Sequence, residues 1–155
     1  MKLYIVAVGD KLPGWAETAV AEYVKRMPRE ARIEIIAVRP EKRAGQSAER
    51  IKALEAARIL EKCPTHARLV ALDEHGKQAS TRELAQSLEG WLQSGRDTAL
   101  VIGGADGLAP DLLARAESTL ALSRLTLPHA LARVLLAEQL YRAWTLLANH
   151  PYHRE

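Results

Sequence analysis

The sequence predicts an α/β domain built on a mainly parallel sheet. Short apolar runs rich in β-branched residues alternate with longer segments of helical periodicity along the chain. Such alternation calls for helical crossovers between parallel strands. A glycine-rich stretch, Gly103–Gly107, directly follows an apolar run and precedes a helical one. That is where parallel α/β sheets hold ligands, beyond the carboxyl ends of their strands. The 155 residues amount to one domain, residues 1–155, and are enough to bury a core of their own.

Lys2–Val8 is apolar and β-branched up to Gly9 and reads as a buried first strand. Pro13 to Met27 reads as a helix. Pro13 suits the first turn, Ala16, Ala19, Val20, Tyr23, Val24 and Met27 recur at helical spacing, and Pro28 stops it. Ile33–Val38 is the second strand, and Arg39–Gln46 is a basic loop with Pro40 and Gly45. Ser47–Lys62 reads as a helix ended by Pro64, and Ala67–Leu72 as the third strand, closed by a turn at Asp73–Lys77. Ser80 and Glu83 have the spacing of a capping box, so a helix opens there and runs to about Gly95. Thr98–Ile102 is the fourth strand, Gly103–Pro110 a loop and Asp111–Ser118 a short helix. Leu120–Leu127, broken by Ser123 and Arg124, reads as a short fifth strand running into an ordered loop. The last helix opens at Pro128-His129 and continues to about Asn149, leaving Pro151–Glu155 as a tail.

Composition narrows the function. Hydrophobic residues are 48% and charged residues 26%, which excludes whole-chain disorder and collagen-like repeats. The lone Cys63 excludes a disulfide framework and a cysteine-based zinc site, and it suits a reducing compartment. No apolar run has the length of a membrane span, and Met1–Gly9 is followed at once by Asp10 and Lys11, unlike a signal peptide. A cytoplasmic protein is expected. Net charge is +3, but Lys25–Arg50 alone carries eight basic against four acidic residues. Such an excess suits a polyanion, although a solvated surface of mixed charge would look the same.

Four segments stand out. The Gly103–Gly107 loop can bring backbone N–H groups close to a ligand, although a plain tight turn uses the same residues. It is neither a Walker loop, since no Gly-Lys-Ser/Thr follows, nor a dinucleotide fingerprint, which belongs after the first strand. Leu122–Pro128 can line a pocket with leucines, or it is an ordinary strand end. The last helix has apolar residues on more than one face, as a helix shared between a core and a partner subunit would, or the central helix of one core. Glu138 and Arg142 can pair along it, and His129 and Arg133 near its start can face the pocket. The closing Asn149–Glu155 gathers two histidines, a tyrosine and an arginine, residues that stack on bases and hold phosphates. His66 and His75 read as surface residues and Cys63 as a small hydrophobe, and no cluster has metal-ligand spacing.

The opening MKLYIVAVGDKLP, the segment LVALDEHGK, the loop LVIGGADGL, the stretch LALSRLTLPHALARVLLAEQLYRAW and the closing NHPYHRE together resemble the RlmH family of SPOUT-class ribosomal RNA methyltransferases, over the whole chain. The resemblance implies a SPOUT-type α/β knot: a mainly parallel sheet with helices on both faces and a C-terminal trefoil knot, a threading otherwise rare in proteins. It implies S-adenosylmethionine as cofactor, a homodimer, no metal, and methylation of N3 of a pseudouridine in helix 69 of 23S rRNA on the 70S ribosome. Carried onto this chain, the cofactor contacts are Leu72, Gly103, Gly104, Gly107 and Leu122, Ser123, Arg124, Leu125, Thr126 and Leu127. The substrate side falls to Tyr152 and Arg154, with Arg142, Lys42 and Arg43, and the transfer site to His153, Arg133 and His129. His153 is the preferred base, because imidazole exchanges protons near neutral pH. Two departures stand out: family loops often read Gly-Gly-Pro-Glu-Gly where this chain has Ala105 and Asp106, and Arg124 stands where small residues are common. The competing readings are a non-catalytic ribosome or RNA-binding module of the same fold, and a different small-molecule α/β enzyme.

Overall fold

The computed structural model describes residues 1–9 and 11–154. Asp10, next to the first strand, and Glu155, the end of the tail, lie outside the described residues. The elements in chain order are β1 (Lys2–Val8), α1 (Gly14–Arg26), β2 (Arg32–Val38), α2 (Ala48–Lys62), β3 (Arg68–Gln78), α3 (Thr81–Ser94), β4 (Thr98–Ile102), α4 (Pro110–Arg115), β5 (Ser118–Ala121) and α5 (His129–Leu147). Short 3-10 turns lie at Arg29–Ala31 and Pro151–Arg154.

The five strands form one sheet in the order β2-β1-β4-β3-β5, and every pairing is parallel. Side chains alternate across it and build two cores. Leu3, Ile5, Val70, Leu100 and Ile102 point to one face, where they meet Leu84, Leu88 and Trp91 of α3 and Leu136, Leu140 and Tyr141 of α5. Tyr4, Val6, Val38, Ala99 and Val101 point to the other, against Ala56 and Ile59 of α2 and Leu112 of α4. Burying each large side chain contributes about 1.5–3 kcal/mol, so the central strands are fastened from both sides. Successive crossovers alternate direction and face, so all four have the same hand, as the right-handed rule for parallel strands requires.

The helix signals read from the sequence act as expected. Ser80 Oγ accepts from Glu83 N–H at 3.1 Å and Glu83 Oε1 from Ser80 N–H at 3.2 Å, and α3 ends at Gly95 in the left-handed region. Ser47 caps α2 through Arg50 N–H.

Three expectations are corrected. Asp73–Lys77 does not close the third strand: Leu120 partners both Leu72 and Lys77, so 73–76 loop out and β3 resumes. The fifth strand is Ser118–Ala121, earlier than the short strand expected at the start of Leu120–Leu127, and α4 stops at Arg115 rather than Ser118. Leu122–Leu127 is apolar because it lines a cavity, so its pattern carries no sheet register. The tail forms a short 3-10 turn, Pro151–Arg154, packed on α5.

Candidate cofactor and substrate site

At the carboxyl ends of β3, β4 and β5 three segments close around a cavity of about 530 Å³. That is the usual size for a small-molecule site. The glycine turn forms one wall. Gly107 N–H bonds Gly104 O at 3.0 Å, which puts Ala105 and Asp106 at the tip. A Cβ on Gly103 would lie 2.7 Å from the Gly107 carbonyl, so backbone packs on backbone here and only glycine fits. Gly104 is hemmed in differently: a Cβ there would meet the Glu55 carboxylate at 2.8 Å and Val8 at 3.1 Å.

Leu72 and the 73–75 excursion supply a second wall. The third is the segment from β5 to α5, through Leu122, Ser123, Leu125, Thr126 and Leu127, with His129 at its end. The predicted cofactor residues therefore meet at one cavity, with one exception. Arg124 is exposed and outside the lining, because Ser123 Oγ accepts from Leu125 N–H at 2.9 Å and the chain turns tightly around it.

The residues expected at the transfer site part company. His129, the first residue of α5, is exposed and lines the cavity. Arg133 is 4% exposed and outside the lining. Its Nη2 donates to Val8 O at 3.0 Å and Gly9 O at 2.7 Å, closing the end of β1, and burial pushes its pKa down. In this structure the guanidinium therefore faces the end of β1 rather than the cavity.

The tail lies at the other end of α5. This 19-residue helix spans about 28 Å at 1.5 Å per residue; the tail turns back along its last half as far as Glu138, and Tyr152, His153 and Arg154 do not line the cavity of their own chain. Tyr152 is held by its own chain. Its hydroxyl donates to Glu138 Oε2 at 3.1 Å, its ring packs edge-on to Tyr141 at 4.7 Å, and Arg142 lies 4.9 Å from its ring centre. Burial first, then the hydrogen bond with Tyr23 and the Glu138 carboxylate, hold the phenol above its ordinary range. Arg142 in turn bonds Glu138 at 3.0 Å. His153 is half-buried with no partner on Nδ1 among the described residues, and Arg154 is exposed.

On the opposite side of the cavity, Lys42 is exposed, whereas Arg43 forms a two-bond fork on Asp106, at 2.6 and 3.1 Å. Arg43 holds the Asp106 carboxyl below its usual range. Sequence reasoning missed Lys52, Asp106 and His75 among the lining residues, and the buried Glu55 behind them. For Lys52 and Glu55 the signal was faint: two charges three apart on one side of α2. Among the described residues, no group of three His, Cys, Asp or Glu is placed to hold a metal ion, and no helix is long and apolar enough to cross a membrane.

Residues 1–153 match the family model described as a predicted SPOUT methyltransferase. Curated proteins named ribosomal RNA large subunit methyltransferase H, from Burkholderia cenocepacia (strain HI2424) and Paraburkholderia phymatum, are each 59% identical over 155 residues, covering 99% of both chains. Among solved structures, a probable methylase family protein from Haemophilus influenzae aligns with a TM-score of 0.59 at 16% identity, over 97% of this chain and 69% of its own. A probable methyltransferase from Bordetella pertussis aligns with a TM-score of 0.57 at 19% identity, over 91% of this chain and 95% of its own. At those identities the likeness concerns the fold.

Proposed function

The chain belongs to the SPOUT methyltransferase family, and from that premise we propose that it is an S-adenosylmethionine-dependent methyltransferase of large-subunit ribosomal RNA. The observation that carries the proposal is the convergence of the glycine turn and the 122–127 segment on one cavity with His129 at its edge. The residues fit the cofactor: leucines 72, 122, 125 and 127 offer apolar walls, and the Gly103 turn offers backbone edges where a side chain is excluded. S-adenosylmethionine, when bound, supplies a methyl group activated on a sulfonium.

The finer target is N3 of a pseudouridine in the helix 69 loop of 23S rRNA, on the assembled 70S ribosome. The resemblance in the glycine turn, the 120–144 stretch and the closing NHPYHRE supports it. Transfer to N3 requires loss of its proton and alignment of N3 with the methyl group, and positioning of this kind can supply a large part of the rate. His129 is the imidazole at the cavity edge, and His153 is the one on the tail.

A single copy holds these two groups at opposite ends of α5. A two-fold dimer with its α5 helices antiparallel would lay one copy's tail at the other copy's cavity. Leu131 and Leu135, 40% and 37% exposed, form an apolar strip on α5 for such contact. In this reading Tyr152 fixes the tail, Arg154 and Lys42 hold RNA phosphates, and the knot of the family joins the three cavity segments.

The test is transfer of labelled methyl to ribosomes lacking the modification. Intact 70S particles, 50S subunits and naked 23S rRNA are compared, and the labelled nucleotide is mapped by mass spectrometry. Label on a helix 69 pseudouridine, mainly in 70S, is the expected result. Cofactor binding with no label in any sample would assign a different substrate, and loss of both would favour a binding module.

A further inference from the structure

The basic loop 39–46 is fastened to α2 without any help from Arg43. Glu55, 4% exposed, accepts from Glu41 N–H at 3.0 Å. The Glu41 carboxylate pairs with Arg58 and accepts from Gln46 at 3.1 Å. Gln46 also donates to Lys42 O at 2.9 Å, and Arg58 to Arg39 O at 3.0 Å. These contacts define the loop's shape. Arg43 instead reaches across to the glycine turn, and its side chain stays 63% exposed while paired with Asp106.

We propose that the Arg43–Asp106 pair is a clasp over a phosphate site: Asp106 occupies the guanidinium fork that a phosphate of the RNA substrate takes on docking. This rests on the RNA-methyltransferase reading above. A carboxylate and a phosphate offer the fork the same two-oxygen edge, so one can replace the other without moving Arg43. The Asp106 side chain is 14% exposed, so the pair meets solvent from the Arg43 side, where a phosphate can approach the fork, and the loop keeps its shape because its other bonds stay in place. Lys42 and Arg39 are exposed on the same loop and, among the described residues, make no ion pair, so they can flank the phosphate. Asp106 also lines the cavity, so the clasp sits where RNA approaches the cofactor turn. Until it opens, its carboxylate repels phosphates there. RNA that merely lies along the basic surface gains nothing from Arg43, whereas RNA presented at the cavity does.

The experiment measures binding of a short fluorescein-labelled RNA stem-loop by anisotropy across a salt series. Wild type is compared with Asp106→Asn, Asp106→Glu, Arg43→Ala, the Arg43→Ala/Asp106→Asn double variant, and Asp111→Asn, a charge control at an exposed position on α4. Asp106→Asn is expected to bind about 3- to 5-fold more tightly, the range an exposed ion pair can return. Its salt dependence should match wild type, since both complexes hold the same phosphate on Arg43, whereas Arg43→Ala should lose about one phosphate contact, a slope change of ~0.7–0.9. Asp106→Glu should stay near wild type, Arg43→Ala should bind more weakly, and the double variant should match Arg43→Ala. The clasp is overturned if Asp106→Asn gains nothing, if its gain survives in the Arg43→Ala background, or if Asp111→Asn gains as much. Failure of wild type and every variant to bind RNA, together with no methyl transfer to 70S ribosomes, would overturn the clasp and the RNA reading alike. Methyl transfer to ribosomes without an Asp106→Asn gain would overturn the clasp alone.

Discussion

The two ends of α5 are built on opposite plans. At its start, near His129, the surroundings are backbone turns and half-exposed leucines, and Leu125 is 74% exposed. At its end Tyr23, Tyr141, Trp144, His150 and Tyr152 pack on one another, and Arg26 and Arg142 lie over the rings. The first end is shaped to receive a ligand, whereas the second is already filled by the chain itself. A filled end makes a rigid mount for the few residues that stay outside it, above all Arg154. The contrast separates residues that hold a ligand from residues that hold a holder.

The strongest way to break this contrast is to fill the receiving end. Gly103→Ala places a methyl group 2.7 Å from the Gly107 carbonyl, and the turn must shift. Overpacking of this kind costs about 1–3 kcal/mol, so cofactor affinity should drop by about 10- to 100-fold with the aromatic end untouched. Calorimetric titration with S-adenosylmethionine checks it, and unchanged affinity would show that the glycine wall does not hold the cofactor.

A second experiment asks whether the two ends work in the same copy. Gly103→Ala copies have a damaged cavity and a sound tail. Copies carrying His153→Ala and Arg154→Ala have the reverse. Each alone should transfer little methyl. Unfolded and reassembled together in equal amounts, they should recover about a quarter of wild-type transfer if the tail serves the partner's cavity, because half the dimers then hold one complete site. If the tail serves its own cavity, mixing recovers nothing.

Much of this was legible in the sequence because it is local. The strands β1 and β4 are apolar runs beyond their first residue, β2 is apolar from Ile35 onward, the Ser80–Glu83 cap is a spacing of three, and the glycine turn and the leucine segment each announce themselves within six residues. What was not legible is pairing at a distance. Arg133 finds carbonyls 124 and 125 residues away, and Arg43 finds Asp106 63 residues away. Nothing near any of these residues marks it as occupied. Glu55, a charge on a helix, is buried, and Tyr152, in the closing polar cluster, is half-buried against the core. The fifth strand was misplaced for a related reason: apolar residues that line a cavity and apolar residues that pair in a sheet look alike in one dimension.

The smallest effect belongs to the Tyr152 hydroxyl, and it separates mounting from contact. Tyr152→Phe keeps the ring against Tyr141 and removes the hydroxyl's bonds to Glu138 and Tyr23, while Glu138 retains Arg142 and Gln139. A half-exposed hydrogen bond to a carboxylate is worth about 1 kcal/mol here, or ~2–4 °C in Tm for a chain of this size. Cofactor affinity should not change, and methyl transfer should fall only a few-fold through a looser tail. The pH dependence has a definite sign. The folded phenol is held above its ordinary range, so its contribution is complete below the unfolded value near ~10 and declines above it, as the unfolded chain alone releases the proton. The stability gap between wild type and Tyr152→Phe should therefore be level up to about pH 10 and narrow beyond it. A gap that stays level through that range would mean the hydroxyl carries no such load. A large loss of transfer with no loss of stability would instead make Tyr152 a substrate contact rather than part of the mount.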